Sequence, residues 1–176
     1  MKESLCVISA LGEDKPGFVK ALSKTVLDCG GNISDSRMTH LGNEFALIML
    51  VEGSEEIISA VENAISQVQQ AHDLTVVSKR TQVKAVQEER IPYKVNVVSM
   101  DHPGIVHNVT DFIAQQHINI EELDTSSYAA AHTGAPMFSL AMSISIPKSL
   151  NIGKFKKDFL FFCDELNLDA VVEAIK

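Results

Sequence analysis

The chain writes one phrase twice, DKPGFV at residues 14–19 and DHPGIV at residues 101–106. Each copy follows a short apolar run, LCVISAL (5–11) in the first case and YKVNVVSM (93–100) in the second. An internal repeat limits the fold more than any other feature, because the chain must then be read as two versions of one unit. Aligning Pro16-Gly17 on Pro103-Gly104 pairs Asp14 with Asp101, Leu22 with Val109, Ser23 with Thr110 and Val26 with Ile113. The register holds without a gap through Asn32-Ile33 and Asn119-Ile120. The second copy then carries an extra segment, AAAHTG (129–134), before Phe138 meets Phe45.

Both copies predict the same series of elements. The β-branched-rich runs at 5–11 and 93–100 read as strands that stop at turn residues. Pro16 and Pro103 are expected at the first helical position, with Gly17 and Gly104 at the second. Val19, Leu22 and Val26 follow at helical spacing, as do Val106, Val109 and Ile113. Gly30-Gly31 is expected to end the first helix as a left-handed cap; Gln116-His117 stands there in the second copy. Strands at 32–41 and 44–52, joined by a tight turn at Leu41-Gly42-Asn43, match strands at 119–128 and 137–146. Second helices follow, with apolar stripes of Ile57, Ile58, Val61, Ile65 and Val68 and of Phe155, Phe159, Phe162, Cys163 and Leu166. The phenylalanines at this spacing read as core before they read as a partner-binding stripe. Final strands at 74–80 and 168–175 complete each unit.

The order β-α-β-β-α-β, twice, predicts an α+β protein of two ferredoxin-like units. Each is a four-stranded antiparallel sheet with two helices on one face. The units are expected at 1–81 and 92–176, with a polar linker at 82–91. Units of about 80 residues bury modest cores, so the halves are expected to lean on each other or on a second chain, as a homo-oligomer.

Composition excludes several roles. With 23 acidic against 15 basic residues and a net charge of −8, the surface repels phosphates, and no helix carries a basic stripe for DNA. No run approaches the ~18 apolar residues of a membrane span, and MKESLCVISALGEDK does not read as a secretory signal. Cys6, Cys29 and Cys163 are odd in number and far apart, so they read as free thiols in a reducing cytoplasm. His102 and His107 lack the spacing of metal ligands on one helix face, and His40, His72, His117 and His132 suggest no site. No cofactor, metal or catalytic motif stands out, and two small units leave no third domain to hold a catalytic pair. The expectation is a protein that is not an enzyme.

The repeated phrase is where chemistry concentrates. A helix N-terminus offers free N–H groups and partial positive charge to a carboxylate, and glycine there clears the approach. Asn32 brings both donors and an acceptor, and Asp14 suits an ammonium. The same residues also fit a purely structural reading, with Asp14 capping its helix, Pro-Gly shaping a turn and Asn32 serving as a loop residue.

A β-α-β-β-α-β unit with Asp-x-Pro-Gly at its first elbow and Asn-Ile opening its second strand resembles the ACT domain, and both halves carry it. The resemblance implies a module that binds a small amino acid. The implied ligand-binding residues are Asp14, Lys15, Pro16, Gly17, Phe18, Asn32 and Ile33, with Asp101, His102, Pro103, Gly104, Ile105, Asn119 and Ile120 in the second copy. A free-standing pair of such domains further implies a negative regulator of transcription, with glycine as the favoured signal and a separate activator protein as partner. The alternative is a regulatory subunit for an amino-acid biosynthetic enzyme.

Overall fold

The computed structural model describes residues 4–82 and 89–175. Its first half runs β1 (Ser4–Glu13), α1 (Phe18–Asp28), β2 (Asn32–Leu41), β3 (Glu44–Gly53), α2 (Glu55–His72) and β4 (Thr75–Thr81). The second half repeats the order as β5 (Arg90–Met100), α3 (Ile105–Gln115), β6 (Asn119–Ala129), β7 (Pro136–Pro147), α4 (Ile152–Glu165) and β8 (Asp169–Ala174). The strands form two separate sheets, ordered β2-β3-β1-β4 and β6-β7-β5-β8, with antiparallel neighbours throughout. The chain divides into two compact units, each holding one sheet. Of the expected linker, residues 83–88 lie outside the described residues; β4 ends at Thr81 and β5 begins at Arg90.

Alternation along the central strands builds each core. In the first unit Cys6, Ile8 and Ala10 of β1 and Phe45, Leu47, Met49 and Val51 of β3 are buried together, and both helices lie on that face. Ile58, Val61 and Ile65 of α2 pack onto it. The expected α4 stripe likewise is core, with Phe155, Phe159 and Cys163 buried and Phe162 and Leu166 partly so.

The first helix of each unit corrects the expected spacing. α1 buries Phe18, Leu22 and Val26, and α3 buries Ile105, Val109 and Ile113. Val19 and Val106 point outward, 45% and 36% exposed. The inward face steps in fours from the first helical residue, so the residue directly after the glycine takes the core position.

Helix ends follow the duplication closely. Gly30, at φ 79°, ends α1, with Gly30 N–H donating to Leu27 O and Gly31 N–H to Val26 O, both at 2.9 Å. These two bonds close a left-handed helix terminus. His117 does the same for α3 at φ 55°, with its N–H donating to Ala114 O (2.9 Å) and Ile118 N–H to Ile113 O (3.3 Å). The missing glycine changes the residue and not the turn.

The hairpin after β2 is a two-residue turn, Leu41 pairing with Glu44 and Gly42 standing at φ 65°. In the second unit the extra segment forms a longer loop, closed by Ala130 N–H to Ala135 O at 2.9 Å. The outer strands β2 and β6 are exposed along nearly their whole length; only Ile33 and Ile120 are partly buried. Among the described residues no helix is long and apolar enough to cross a membrane.

Candidate functional site

The repeated phrase forms the turn from β1 into α1 and from β5 into α3. Gly17 and Gly104 are the N-cap residues, not the second helical residues, so Pro16 and Pro103 lie ahead of their helices. The glycines stand at φ 107°, ψ −9° and φ 99°, ψ −10°. That backbone region is poorly open to residues with a side chain, and it lets the chain reverse at once from strand to helix. Helix bonding starts from the glycine carbonyls, which accept from Ala21 N–H (2.8 Å) and Asn108 N–H (2.9 Å).

Neither helix start has a side-chain cap or an acidic residue in its first turn. The reading of Asp14 as a cap for α1 is thus corrected: the positive-φ glycine occupies the cap position instead. The other two helices are built differently. Ser54 Oγ accepts from Ile57 N–H (3.4 Å) at α2, and Asn151 Oδ1 accepts from Lys154 N–H (3.0 Å) at α4. The uncapped ends are the exposed elbows. Residues 14–17 and 101–104 are exposed, and no atom lies within 4 Å of a Cβ built on Gly17. The first-turn N–H groups there keep their hydrogen-bonding capacity for something from outside.

Each elbow is pinned where the neighbouring strand, β3 or β7, begins. Asp14 N–H donates to Asn43 O and Asp101 N–H to Pro136 O, both at 2.9 Å. In the first unit Asp14 Oδ1 also lies 3.3 Å from His40 Nε2. His40 packs on Phe45, Phe45 on Phe18, and Phe18 meets His72 edge-on, at centroid distances of 6.0, 6.2 and 5.8 Å. Register places Ser127 where His40 stands, since His40 faces Phe45 and Ser127 faces Phe138. Asp101 therefore has no histidine opposite it in its own sheet.

The remaining candidates separate. Lys15 is engaged with Glu13 at 2.7 Å; this hydrogen bond holds the Glu13 carboxyl below its ordinary range and raises Lys15. His102 Nδ1 lies 3.1 Å from Pro103 O. Phe18 and Ile105 send their side chains into the core and offer the elbow only backbone. Asn32 and Asn119 do not meet the elbow of their own sheet. Asn32 pairs with Glu52, beside the start of β1, whereas the elbow follows the end of β1. Nine further strand residues (33–41), about 30 Å of chain, run from Asn32 to the elbow end. Asn119 Nδ2 donates to Glu121 Oε1 at 2.7 Å. Ile33 and Ile120 pack on the cores, each just before a bulge.

His40, Asn43 and His72 are the residues the sequence reading passed over. The hairpin register held the signal for the first two: a two-residue turn at Gly42-Asn43 puts His40 opposite Phe45 at the elbow end. Among the described residues no group of His, Cys, Asp and Glu is arranged to hold a metal.

The ACT domain family model matches residues 4–79 and 94–173. The chain is 31% identical over 169 residues to the glycine cleavage system transcriptional repressor of Escherichia coli, covering 96% of this chain and 89% of that one. A crystal structure assigned to a glycine cleavage system transcriptional repressor superposes with a TM-score of 0.77 at 31% identity, covering 100% of this chain and 99% of that chain. An unknown protein from Galdieria sulphuraria superposes with a TM-score of 0.82 at 26% identity, covering 99% of this chain and 100% of that chain.

The glycines at the two elbows carry a measurable cost of replacement. Gly17→Ala and Gly104→Ala should each destabilise by about 1–2 kcal/mol in urea unfolding, since alanine must adopt the same positive φ. Gly153→Ala, inside α4 and at ordinary φ, should be neutral or slightly stabilising. Equal stability of Gly17→Ala and wild type would show that the elbow backbone relaxes freely.

Proposed function

The chain belongs to the ACT domain family, and on that premise we propose that it senses a small amino acid, glycine foremost, and restrains transcription of the glycine cleavage operon through a partner activator. The observation that carries this reading is the pair of exposed, uncapped helix starts, each behind a positive-φ glycine and beside an aspartate. An amino-acid carboxylate suits the first-turn N–H groups of α1 or α3, and its ammonium suits Asp14 or Asp101. Glycine brings no side chain to clash with the turn. The named relative, a transcriptional repressor of the glycine cleavage system, supports a regulatory role over a catalytic one.

The distant asparagines fit this reading through self-association. β2 is an edge strand with one unpaired side. A second copy laid antiparallel along that edge would bring its Asn32 beside the elbow end of the first, where a single sheet cannot put it. The ligand would then bridge two copies, and its binding would shift the assembly that meets the activator.

Direct DNA binding does not enter the reading. The four helices of the described residues commit their apolar faces to a sheet, and the net charge is −8. The densest basic cluster, Lys154, Lys156 and Lys157, is followed on α4 by Asp158, Asp164 and Glu165.

Calorimetry tests the ligand. Glycine should bind the wild type, and Asp14→Asn/Asp101→Asn should weaken it about tenfold or more by removing the ammonium's partner. An unchanged titration in the double variant would take the aspartates out of the site. A gel shift with operator DNA, at physiological salt and without activator, should show no retardation. Sequence-specific, salt-sensitive retardation there would overturn the indirect mechanism.

A further inference from the structure

The sheet of the first unit has a second face, turned away from both helices, and the register gives its residues. Val7, Ser9 and Leu11 of β1 alternate with the core residues Cys6, Ile8 and Ala10. Ala46, Ile48 and Leu50 of β3 alternate with Phe45, Leu47 and Met49. Pairing sets them in rows that cross all four strands. One row reads Asp35–Leu50–Val7–Lys79, the next Arg37–Ile48–Ser9–Val77 and the third Thr39–Ala46–Leu11–Thr75. The middle of this face is apolar, yet Ile48 and Leu11 are each 48% exposed and Val77 is 61% exposed.

The second unit shows that the fold does not require such a face. Its first row reads Glu122–Ser143–Lys94–Glu173, and Asn96 and Ala141 pair where Ser9 and Ile48 do. The same scaffold forms with polar side chains there, so the apolar ones of the first unit point to an intermolecular contact. We propose that this face packs on the same face of a second copy, about a twofold axis parallel to the strands. That axis lays β2 of each copy over β4 of the other, and Asp35 meets Lys79 at both edges. Between the edges Leu50 lies over Val7, Ile48 over Ser9 and Ala46 over Leu11. Lys79 is exposed and has no ion-pair partner among the described residues. Asp35 gives only Oδ1 to Arg37 of its own strand, which leaves Oδ2 for the lysine. The same operation on the second sheet would set Glu122 against Glu173, and an axis across the strands would set Arg37 against Arg37. Glu13 and Glu44 fall one row beyond the patch, at its rim, where Lys15 holds Glu13. Four strands by three rows make roughly 400 Å² of sheet on each copy, the size of a weak, reversible contact. The contact uses the face of β2 and not its edge, and it is independent of which ligand the elbows take.

Sedimentation velocity from low to high micromolar concentration tests it. The wild type should associate as concentration rises. Lys79→Asp sets like charges against each other at both edges, as does Asp35→Lys, and each should weaken association about tenfold or more. An equimolar mixture of these two variants should regain it, since each copy then meets the opposite charge on the other. Asp35 and Lys79 stand at opposite edges of their own sheet, about 14 Å apart, so such a rescue cannot arise within one chain. Ile48→Lys, at an exposed position, should abolish the contact. These changes leave the backbone edge of β2 as it is, so association along that edge contributes equally to every sample. A wild type that stays monomeric, a mixture no heavier than its two components alone, or an Ile48→Lys protein that associates like the wild type would overturn the proposal.

Discussion

At the end of β1 the chain must reverse into a helix that lies back across the sheet, and one residue at positive φ makes that reversal. Gly17 does so in the first unit and Gly104 in the second, within 8° of each other in φ (107° against 99°). Much else depends on this turn. It fixes Phe18 and Ile105 as the first core residues of their helices. It also leaves the helix starts without a capping side chain, because glycine has none to give. Capping by Ser54 and Asn151 at the other two helices shows that the chain can supply caps where it needs them. The open donors at the elbows are thus a property of the turn itself, and a bound carboxylate would be the missing cap.

Duplication makes the molecule its own comparison. The backbone of the two elbows is nearly the same, yet their surroundings differ: His40 stands 3.3 Å from Asp14, while Ser127 takes the matching register position in the second sheet. The helix layers diverge as well, with a phenylalanine stack in one unit and an open groove in the other. One scaffold repeated with such differences allows two surfaces to specialise without altering the turn that supports both.

Much of this was legible in the sequence, and the exceptions share a cause. Alternation and helical spacing mark the strands and stripes, because burial imposes those periods on any chain of this kind. Proline misled the reading of the helix start: it is favoured at the first helical position, but the glycine behind it at positive φ postpones the helix to Phe18 and Ile105. Val19 and Val106 fit the helical spacing of their neighbours, yet they face outward because the inward face starts one residue earlier, at Phe18 and Ile105. Asn32 opens the strand that follows α1, yet β2 runs its full length before reaching the elbow end. His117 shows that a left-handed helix end can form without the glycine that usually announces it. Local patterns were readable; three-dimensional neighbours needed the register.

The central claim is that a small amino acid supplies the cap that the elbows lack. Amide resonances followed during a glycine titration test it most directly. The account predicts saturable shifts at Phe18, Val19 and Lys20, at Ile105, Val106 and His107, or at both sets, with Ile57 and Lys154 at the capped helices unmoved. Shifts absent from both elbows, or equal at the capped helices, would contradict it.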